Sequence, residues 1–275
     1  MAQLLPQQIK NFRKRVYAYY TQHKRCLPWR GRGITPYQIF VSEIMLQQTQ
    51  VDRVVNKYRG FISTFENFRQ LAQAPFSHIL KKWQGLGYNR RALYLHKSAK
   101  RVMDEYKGRL PQNPDVLATF PGIGKATAAS ICAFAFNQPT VFIETNIRSV
   151  FIHHFFPLRI NIDDVKILSL VAKTLDKKNP HRWYSALMDY GVSLKKNHNN
   201  PSRKSKHHTK QSRFEGSDRQ IRGAIISVLT QHSSFTSSVL VKKLQKDPGR
   251  IKRLLKNLEK EGLIKRSGKQ YKVFS

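Results

Sequence analysis

Apolar residues recur at helical spacing along most of the chain, so the sequence predicts a mainly α-helical protein. Thr35 is placed to cap the second helix, and Pro36 suits its first position. Short polar or glycine-containing turns separate the predicted helices. The clearest segments cover residues 7–23, 37–49, 52–64, 67–74, 76–83, 94–106, 114–119 and 125–136.

The last quarter of the chain has a different pattern. Helices are predicted at 218–232, 236–244 and 248–261, and strands at 263–266 and 270–274, joined by Ser267-Gly268-Lys269. Three helices and a hairpin resemble a winged helix-turn-helix domain, which implies that the third helix, with Arg250 and Arg253, enters a DNA groove. A protein-interaction winged helix is the alternative. We therefore expect a small α+β winged-helix domain over residues 217–275.

Charge and composition point to a polyanionic partner. The 275 residues carry a formal net charge of +34, yet 40% are hydrophobic, so the chain is a folded protein with a positive surface. No apolar run has membrane length and no signal peptide is present, so we expect a soluble, cytoplasmic, nucleoid-associated protein without membrane contact. Cys26 and Cys132 are expected to be reduced packing residues.

The motif Pro121-Gly122-Ile123-Gly124 predicts a tight turn between two helices, because both glycines can take positive φ. The backbone N–H groups around Gly124, Lys125 and Ala126 then open the second helix, where its dipole attracts a phosphate. Such turns also occur in proteins that bind nothing, so this motif alone leaves both interpretations open.

Two carboxylates stand in apolar surroundings. Glu43 follows Ile39 and Phe40 in a predicted helix, where burial would raise its pKa and allow it to act as an acid near neutral pH. A position at the rim of that face is the alternative. Glu144 follows Ile143, and is either a satisfied structural carboxylate or a chemical one.

Polar and aromatic residues at two turns are candidates for DNA contact. The uncharged Gln47, Gln48 and Thr49 suit base edges, or form an ordinary solvated helix end. Between Gly85 and Arg91, Tyr88 can wedge into a base stack while Arg90 and Arg91 meet phosphates. A plain helix-start turn is the alternative there.

Together these motifs resemble the helix-hairpin-helix DNA glycosylase superfamily, with the A/G-specific adenine glycosylases as the nearest branch. The resemblance covers roughly residues 9–194. It implies a domain over 1–194 with two lobes, a six-helix barrel at about 24–138 and a helical cluster from 1–23 and 139–194. The motifs that carry it are LPWR, SEIMLQQTQV, WQGLGYNRRA, LHKSAKRV, FPGIGKATAAS and ETNIRSV.

The resemblance also implies roles for individual residues. Enzymes of this family extrude the target nucleotide from the duplex. Glu43 matches the glutamate that protonates the departing base. Glu144 stands where the family has the aspartate that stabilises the sugar cation, and Asn146 matches an asparagine beside that acid. Gln48 and Tyr88 match residues that intercalate around the lesion.

Three positions depart from the family pattern. Glu144 is one methylene longer than aspartate, which moves the carboxylate by up to about 1.5 Å. Ala126 replaces the lysine of the bifunctional members, so strand cleavage by β-elimination is not expected. The four cluster cysteines correspond to Lys195, Ser202, Ser205 and about Gln211, so neither an iron–sulfur cluster nor another metal is expected.

Residues 195–216 are expected to form a mobile basic linker that can touch DNA phosphates.

The sequence therefore predicts a monofunctional, monomeric glycosylase of base excision repair. It would hydrolyse the N-glycosidic bond of a mispaired base, adenine opposite guanine or 8-oxoguanine, in double-stranded DNA. A glycosylase for mismatched thymine or uracil, or for a deaminated purine, is one alternative. A DNA-binding protein that keeps the fold without catalysis is the other.

Overall fold

The structure is a computed structural model that describes residues 4–209, 211–231 and 234–274. These residues contain fourteen α-helices, two 3₁₀ helices and a small sheet, and none of their helices is both long and apolar enough to cross a bilayer. The helices are α1 Pro6–His23, α2 Pro36–Leu46, α3 Val51–Ile62, α4 Phe68–Gln73, α5 Phe76–Trp83, α6 Arg90–Tyr106, α7 Pro114–Leu117, α8 Lys125–Phe136, α9 Thr145–Phe155, α10 Asp164–Thr174, α11 Pro180–Asn197, α12 Asp218–Gln231, α13 Ser237–Leu244 and α14 Pro248–Lys260; the strands are β1 Phe235–Thr236, β2 Ile264–Ser267 and β3 Gln270–Val273.

Local sequence signals explain where several helices begin. Asn67 caps α4 by accepting a 3.0 Å hydrogen bond from the backbone N–H of Gln70. Proline occupies the first turn of α1, α7, α11 and α14, where its missing N–H costs nothing. The predicted end of α12 at His232 lies outside the described residues.

The chain divides into two compact units, and the first comprises Met1–Ile39, Gln112–Thr119 and Ile123–Lys210. Its core is built from α1, α8, α9, α10 and α11. Ala129, Ala133 and Phe134 of α8 belong to this core. The expected six-helix barrel, at about 24–138, included α8. In the structure α8 instead shares a core with α1 and with α9 to α11, the helices of the expected cluster.

A buried ion-pair cluster ties the start of this unit to α11. Asp189 is 2% exposed and accepts hydrogen bonds from Arg25 Nε at 2.7 Å and from Arg30 Nη1 at 2.9 Å. The backbone N–H of Arg25 adds a third contact at 2.9 Å. Since a buried carboxylate is costly unless paired, these contacts fix the LPWR segment against α11.

The expected mobile linker is wrong for its first part, because residues 195–206 are folded in the structure. The helix α11 continues to Asn197, and a 3₁₀ helix follows at Pro201–Lys204. Ile162 and Ser205 then form a parallel bridge, with the Ile162 N–H donating to Lys204 O at 3.0 Å. Ser202 and Ser205 are buried there, so the segment is held by backbone pairing.

The second unit comprises Phe40–Pro111, Phe120–Gly122 and Gln211–Ser275. It holds α3 to α6 and the C-terminal winged-helix domain, residues 218–273. The wing is a three-stranded antiparallel sheet of order β1-β3-β2, with Ile264 opposite Val273. The hairpin of β2 and β3 was predicted. The strand β1 was not, because its two residues are too few to show the alternation of apolar and polar positions that marks a strand.

Candidate active site and nucleic-acid interface

Glu144 caps the N-terminus of α9 with its own side chain. Its Oε1 accepts hydrogen bonds from the backbone N–H groups of Asn146 and Ile147, both at 2.8 Å, and its Oε2 accepts one from Asn146 Nδ2 at 3.0 Å. The half-buried carboxylate thus stands at the positive end of a helix dipole, which favours negative charge. The Asn146 Oδ1 is buried and has no hydrogen-bond partner among the described residues.

A basic side chain near Glu144 was not predicted from the sequence. Gly191 of α11 packs so closely on α9 that an added Cβ would lie 2.3 Å from the Asn146 backbone oxygen. Lys195 follows one turn later on the same helix face. Burial lowers the pKa of Lys195, the charge of Glu144 opposes that shift and Arg25 adds to it. In the sequence, the only sign that Lys195 lies near Glu144 is its spacing of four residues from Gly191.

Glu43 lies in the other unit, on α2, whose last two turns bury Ile44 and Met45. The Glu43 side chain is half-buried. The two candidate acids are thus presented by different elements of different units, α2 and the start of α9.

Arg91 does not have the phosphate-contacting role predicted for it. It is 7% exposed, and its Nη1 donates to the carbonyl oxygens of Ile44, Met45 and Gln47 at 2.8, 2.7 and 2.6 Å. Its charge therefore satisfies the C-terminal carbonyls of α2. Burial lowers the pKa of Arg91 to about 10. The sequence showed that Arg91 is charged, but not that the carbonyl groups at the end of α2 would bind it.

Of the three polar residues after α2, Gln48 is the exposed one, with a positive φ of 52°. Gln47 Nε2 donates a 3.1 Å hydrogen bond to Gly122 O, and Thr49 Oγ1 accepts one from Arg91 Nη2 at 2.8 Å. Gln47 and Thr49 therefore help to hold the turn in place, while Gln48 is presented to solvent.

The loop that presents Tyr88, here called the Tyr88 loop (residues 84–91), is shaped by Gly85 and Gly87, with φ of 91° and 72°. Tyr88 itself has a φ of 48° and is 36% exposed. Arg91 Nη2 donates to Gly87 O at 3.1 Å, and the guanidinium lies 5.5 Å from the Tyr88 ring centroid. The loop thus displays an aromatic ring on a rigid base.

The predicted helix-hairpin-helix turn is present, with α7 before it and α8 after it. Gly122 has a φ of 71°, whereas Gly124 has a φ of −87° and starts α8 without a side-chain cap. Gly122, Gly124, Lys125 and Ala126 are all exposed. An uncapped, exposed helix start of this kind is suited to an anion.

Three other predicted DNA contacts have partners within the chain. Arg250 Nε and Arg253 Nη2 lie 2.7 and 2.9 Å from the two carboxylate oxygens of Asp218. Arg90 Nη2 lies 2.6 Å from Glu261 Oε1. The sequence could not show these pairs, because each joins residues more than 30 positions apart.

The residues at the expected cluster positions do not fit an iron–sulfur cluster. Such clusters are held by cysteine thiolates, and this chain has two cysteines. Cys132 donates to Gln112 O, and Cys26 is exposed. Ser202 Oγ instead donates to Asn200 Oδ1 at 2.8 Å, and Ser205 Oγ donates to Asp164 Oδ1 at 3.4 Å.

The comparisons with known proteins decide the family. Residues 41–170 match the model of the HhH-GPD superfamily base excision DNA repair proteins. The adenine DNA glycosylase of Mycolicibacterium smegmatis is 30% identical over 92% of this chain and 92% of its own length. The chain belongs to the HhH-GPD superfamily. The matched region contains both Glu43 and Glu144, and the predicted family resemblance and mainly α-helical fold class are confirmed.

Another curated relative and one solved structure are also similar to this HhH-GPD protein. The adenine DNA glycosylase of Buchnera aphidicola is 37% identical over 65% of this chain, and the match spans about half, 52%, of that relative's length. Among solved structures, a thermostable thymine-DNA glycosylase has a TM-score of 0.61 and 25% identity, covering 68% of this chain and 87% of that one.

Proposed function

We propose that this HhH-GPD protein is a monofunctional DNA glycosylase that removes adenine mispaired with guanine or 8-oxoguanine. The observation that carries the proposal is Glu144, a carboxylate held by three N–H groups at a helix start, at the position of the family's catalytic acid. Membership of the superfamily supports DNA repair, and the names of two relatives support adenine as the target base.

The proposed reaction divides the work between two acids acting on one flipped-out nucleotide. The electron pair of the C1′–N9 bond leaves with adenine, and Glu43 donates a proton to the base. The negative charge of Glu144 stabilises the cationic sugar, as the second carboxylate does in glycoside hydrolysis. Water then adds its hydroxyl to C1′ and releases a proton to the solvent, from which Glu43 is protonated again, and an abasic site remains.

The exposed residues at the turns would hold the duplex. The uncapped start of α8 with Lys125 suits a phosphate, because backbone N–H groups and the helix dipole both attract an anion there. Gln48 and Tyr88 would fill the space that the extruded base leaves. We expect one chain to act on one lesion, as a monomer.

A panel of duplexes tests the substrate. Duplexes with A:8-oxoG, A:G, T:G, U:G and hypoxanthine are incubated with the protein, treated with alkali and run on a denaturing gel. A break at adenine in the A:8-oxoG and A:G duplexes supports the proposal. A break at thymine, uracil or hypoxanthine alone names another base, and binding without any break favours a non-catalytic protein.

The absence of lyase chemistry is a separate part of the proposal. Ala126 is exposed in the first turn of α8 and carries no amine that could form a Schiff base with the sugar. The wild type should therefore leave uncut abasic strands and give no borohydride-trapped adduct. The variant Ala126→Lys should gain a trapped adduct, while Thr127→Lys, turned about 100° around the helix, should not.

A further inference from the structure

The C-terminal winged-helix domain contacts the Tyr88 loop through side chains at both ends of the loop. Gln84 Nε2 donates to Thr230 Oγ1 of α12. Arg90 at the other end pairs with Glu261, which follows α14. Gln84 directly follows α5 and Thr230 lies on α12, and these two helices pack against each other in the same compact unit.

Tyr88 lies between Gln84 and Arg90 in the chain, and its hydroxyl has partners of its own. Arg219 Nη1, on the first turn of α12, donates to it at 3.1 Å, and Gln211 Nε2 donates to it as well. Arg219 is itself fixed, because its Nη2 donates to Ser212 O at 2.6 Å. The phenol that would enter the base stack is thus held at its far end by the segment that leads into the winged helix.

Glu261 bridges two arginines, one from the Tyr88 loop and one from α12. Its carboxylate pairs with both Arg90 and Arg222, and its side chain is 13% exposed. Burial would raise the pKa of Glu261, but the hydrogen bonds and charges of Arg222 and Arg90 lower it by more. The carboxylate therefore joins the start of α6 to α12 of the winged-helix domain.

We propose that the C-terminal domain positions the Tyr88 wedge, with Arg219 as the positioning residue that orients the phenol for insertion. The inference rests on the proposed wedge role of Tyr88. It assigns the winged-helix domain a part in lesion recognition besides the groove contact expected of α14. Loss of the Arg219 hydrogen bond then weakens insertion of Tyr88 without removing the ring.

The test follows insertion directly by fluorescence. The duplex carries 2-aminopurine beside an 8-oxoguanine that is paired with 2′-fluoro-2′-deoxyadenosine, whose glycosidic bond resists hydrolysis. A wedge that unstacks the neighbouring base raises 2-aminopurine emission. The variants are Arg219→Gln, Tyr88→Phe and the double variant, with Arg219→Lys as the conservative change and the exposed Arg159→Gln as the matched control.

Arg219→Gln should lower the equilibrium for insertion about fivefold, the loss expected from one hydrogen bond. Tyr88→Phe should lower it at least as much, because it removes the hydrogen bonds from both Arg219 and Gln211. The double variant should lose no more than Tyr88→Phe alone, because that change already removes the Arg219 contact. Arg219→Lys should recover part of the signal, and Arg159→Gln should match the wild type. Wild-type signals in both single variants, or losses that multiply in the double variant, would overturn the inference.

The assay separates this inference from the proposed activity. A wild-type protein that releases adenine but gives no fluorescence rise would overturn the wedge and the inference, while the glycosylase assignment stands. A fluorescence rise that depends on Arg219, in a protein that releases no base, would support the inference and remove the activity.

Discussion

Asn146 Nδ2 donates a 3.0 Å hydrogen bond to Glu144 Oε2, while the other carboxylate oxygen accepts two backbone N–H groups. Glu144 therefore has a structural role as a helix cap beside its proposed chemical role. The two roles can be separated, because only the chemical role requires the negative charge.

Glu144→Ala should lower the free energy of unfolding by about 1 kcal/mol, the usual loss for a removed N-cap. Glu144→Gln keeps an oxygen that can accept from the backbone N–H groups of Asn146 and Ile147 but loses the acceptor for Asn146 Nδ2, so it should lose clearly less than Glu144→Ala, about 0.5 kcal/mol. Urea unfolding followed by circular dichroism measures both values. Equal losses in the two variants would mean that the charge, rather than the cap, stabilises the fold.

Gly122 is required by the hairpin for two reasons. Its φ is 71°, and an added Cβ would lie 2.4 Å from Tyr94 Cδ2. Gly122→Ala should therefore cost about 3 kcal/mol, from backbone strain and overpacking together.

Gly124→Ala is the matched control, because Gly124 has an ordinary φ and no atom within 4 Å of its Cβ position. Its cost should stay below about 1 kcal/mol. Thermal unfolding of the two variants compares them, and equal melting temperatures would show that the turn tolerates a side chain at Gly122.

Arg91 should be irreplaceable by lysine although the charge is kept. A lysine ammonium has three donors and no planar fork, so several carbonyls of α2 and the Tyr88 loop would lose their partner. We expect Arg91→Lys to lower the free energy of unfolding by about 3 kcal/mol. Arg69→Lys, at an exposed position of α4, should change it by less than about 0.5 kcal/mol. A tolerated Arg91→Lys would contradict the structural role.

Acid should weaken the contact between the winged-helix domain and the start of α6. The pKa of Glu261 is lower in the folded protein than in the unfolded chain, so its stabilisation is present above the unfolded value, about 4.5, and is lost as the pH falls through the folded value. Limited proteolysis between pH 7 and 3 measures release of the C-terminal domain.

Glu261→Gln should release the domain already at neutral pH, because Arg90 and Arg222 lose their carboxylate. The exposed neighbour Glu259→Gln should behave as the wild type across the pH range. A wild type and a Glu261→Gln variant with the same proteolysis profile would show that the carboxylate does not hold the domain.

Local signals were sufficient to predict much of the fold. The helices α5 and α8 begin and end at the predicted residues, because apolar periodicity and flanking Pro or Gly mark both. The turn at Gly122 was predicted from the Pro-Gly-Ile-Gly sequence, whereas the chemical role of Glu144 rests on the family resemblance. The helix ends and the turn depend on neighbours within a few positions in the chain.

Features that depend on distant parts of the chain were not predicted. Arg91 contacts carbonyls 44 to 47 positions away, and Arg90 meets Glu261 across 171 positions. A basic residue in a loop is equally consistent with a phosphate contact or an internal cap, and only packing decides between them. The same holds for Lys195, whose proximity to Glu144 depends on α11 crossing α9.

The most direct test of the account is the rate at which free adenine is released from an A:8-oxoG duplex under single-turnover conditions, measured by mass spectrometry. The wild type should release one equivalent, and Glu43→Gln and Glu144→Gln should each be slower by about 10²-fold or more while binding the duplex normally. Wild-type rates in both variants, or no adenine from the wild type, would contradict the account.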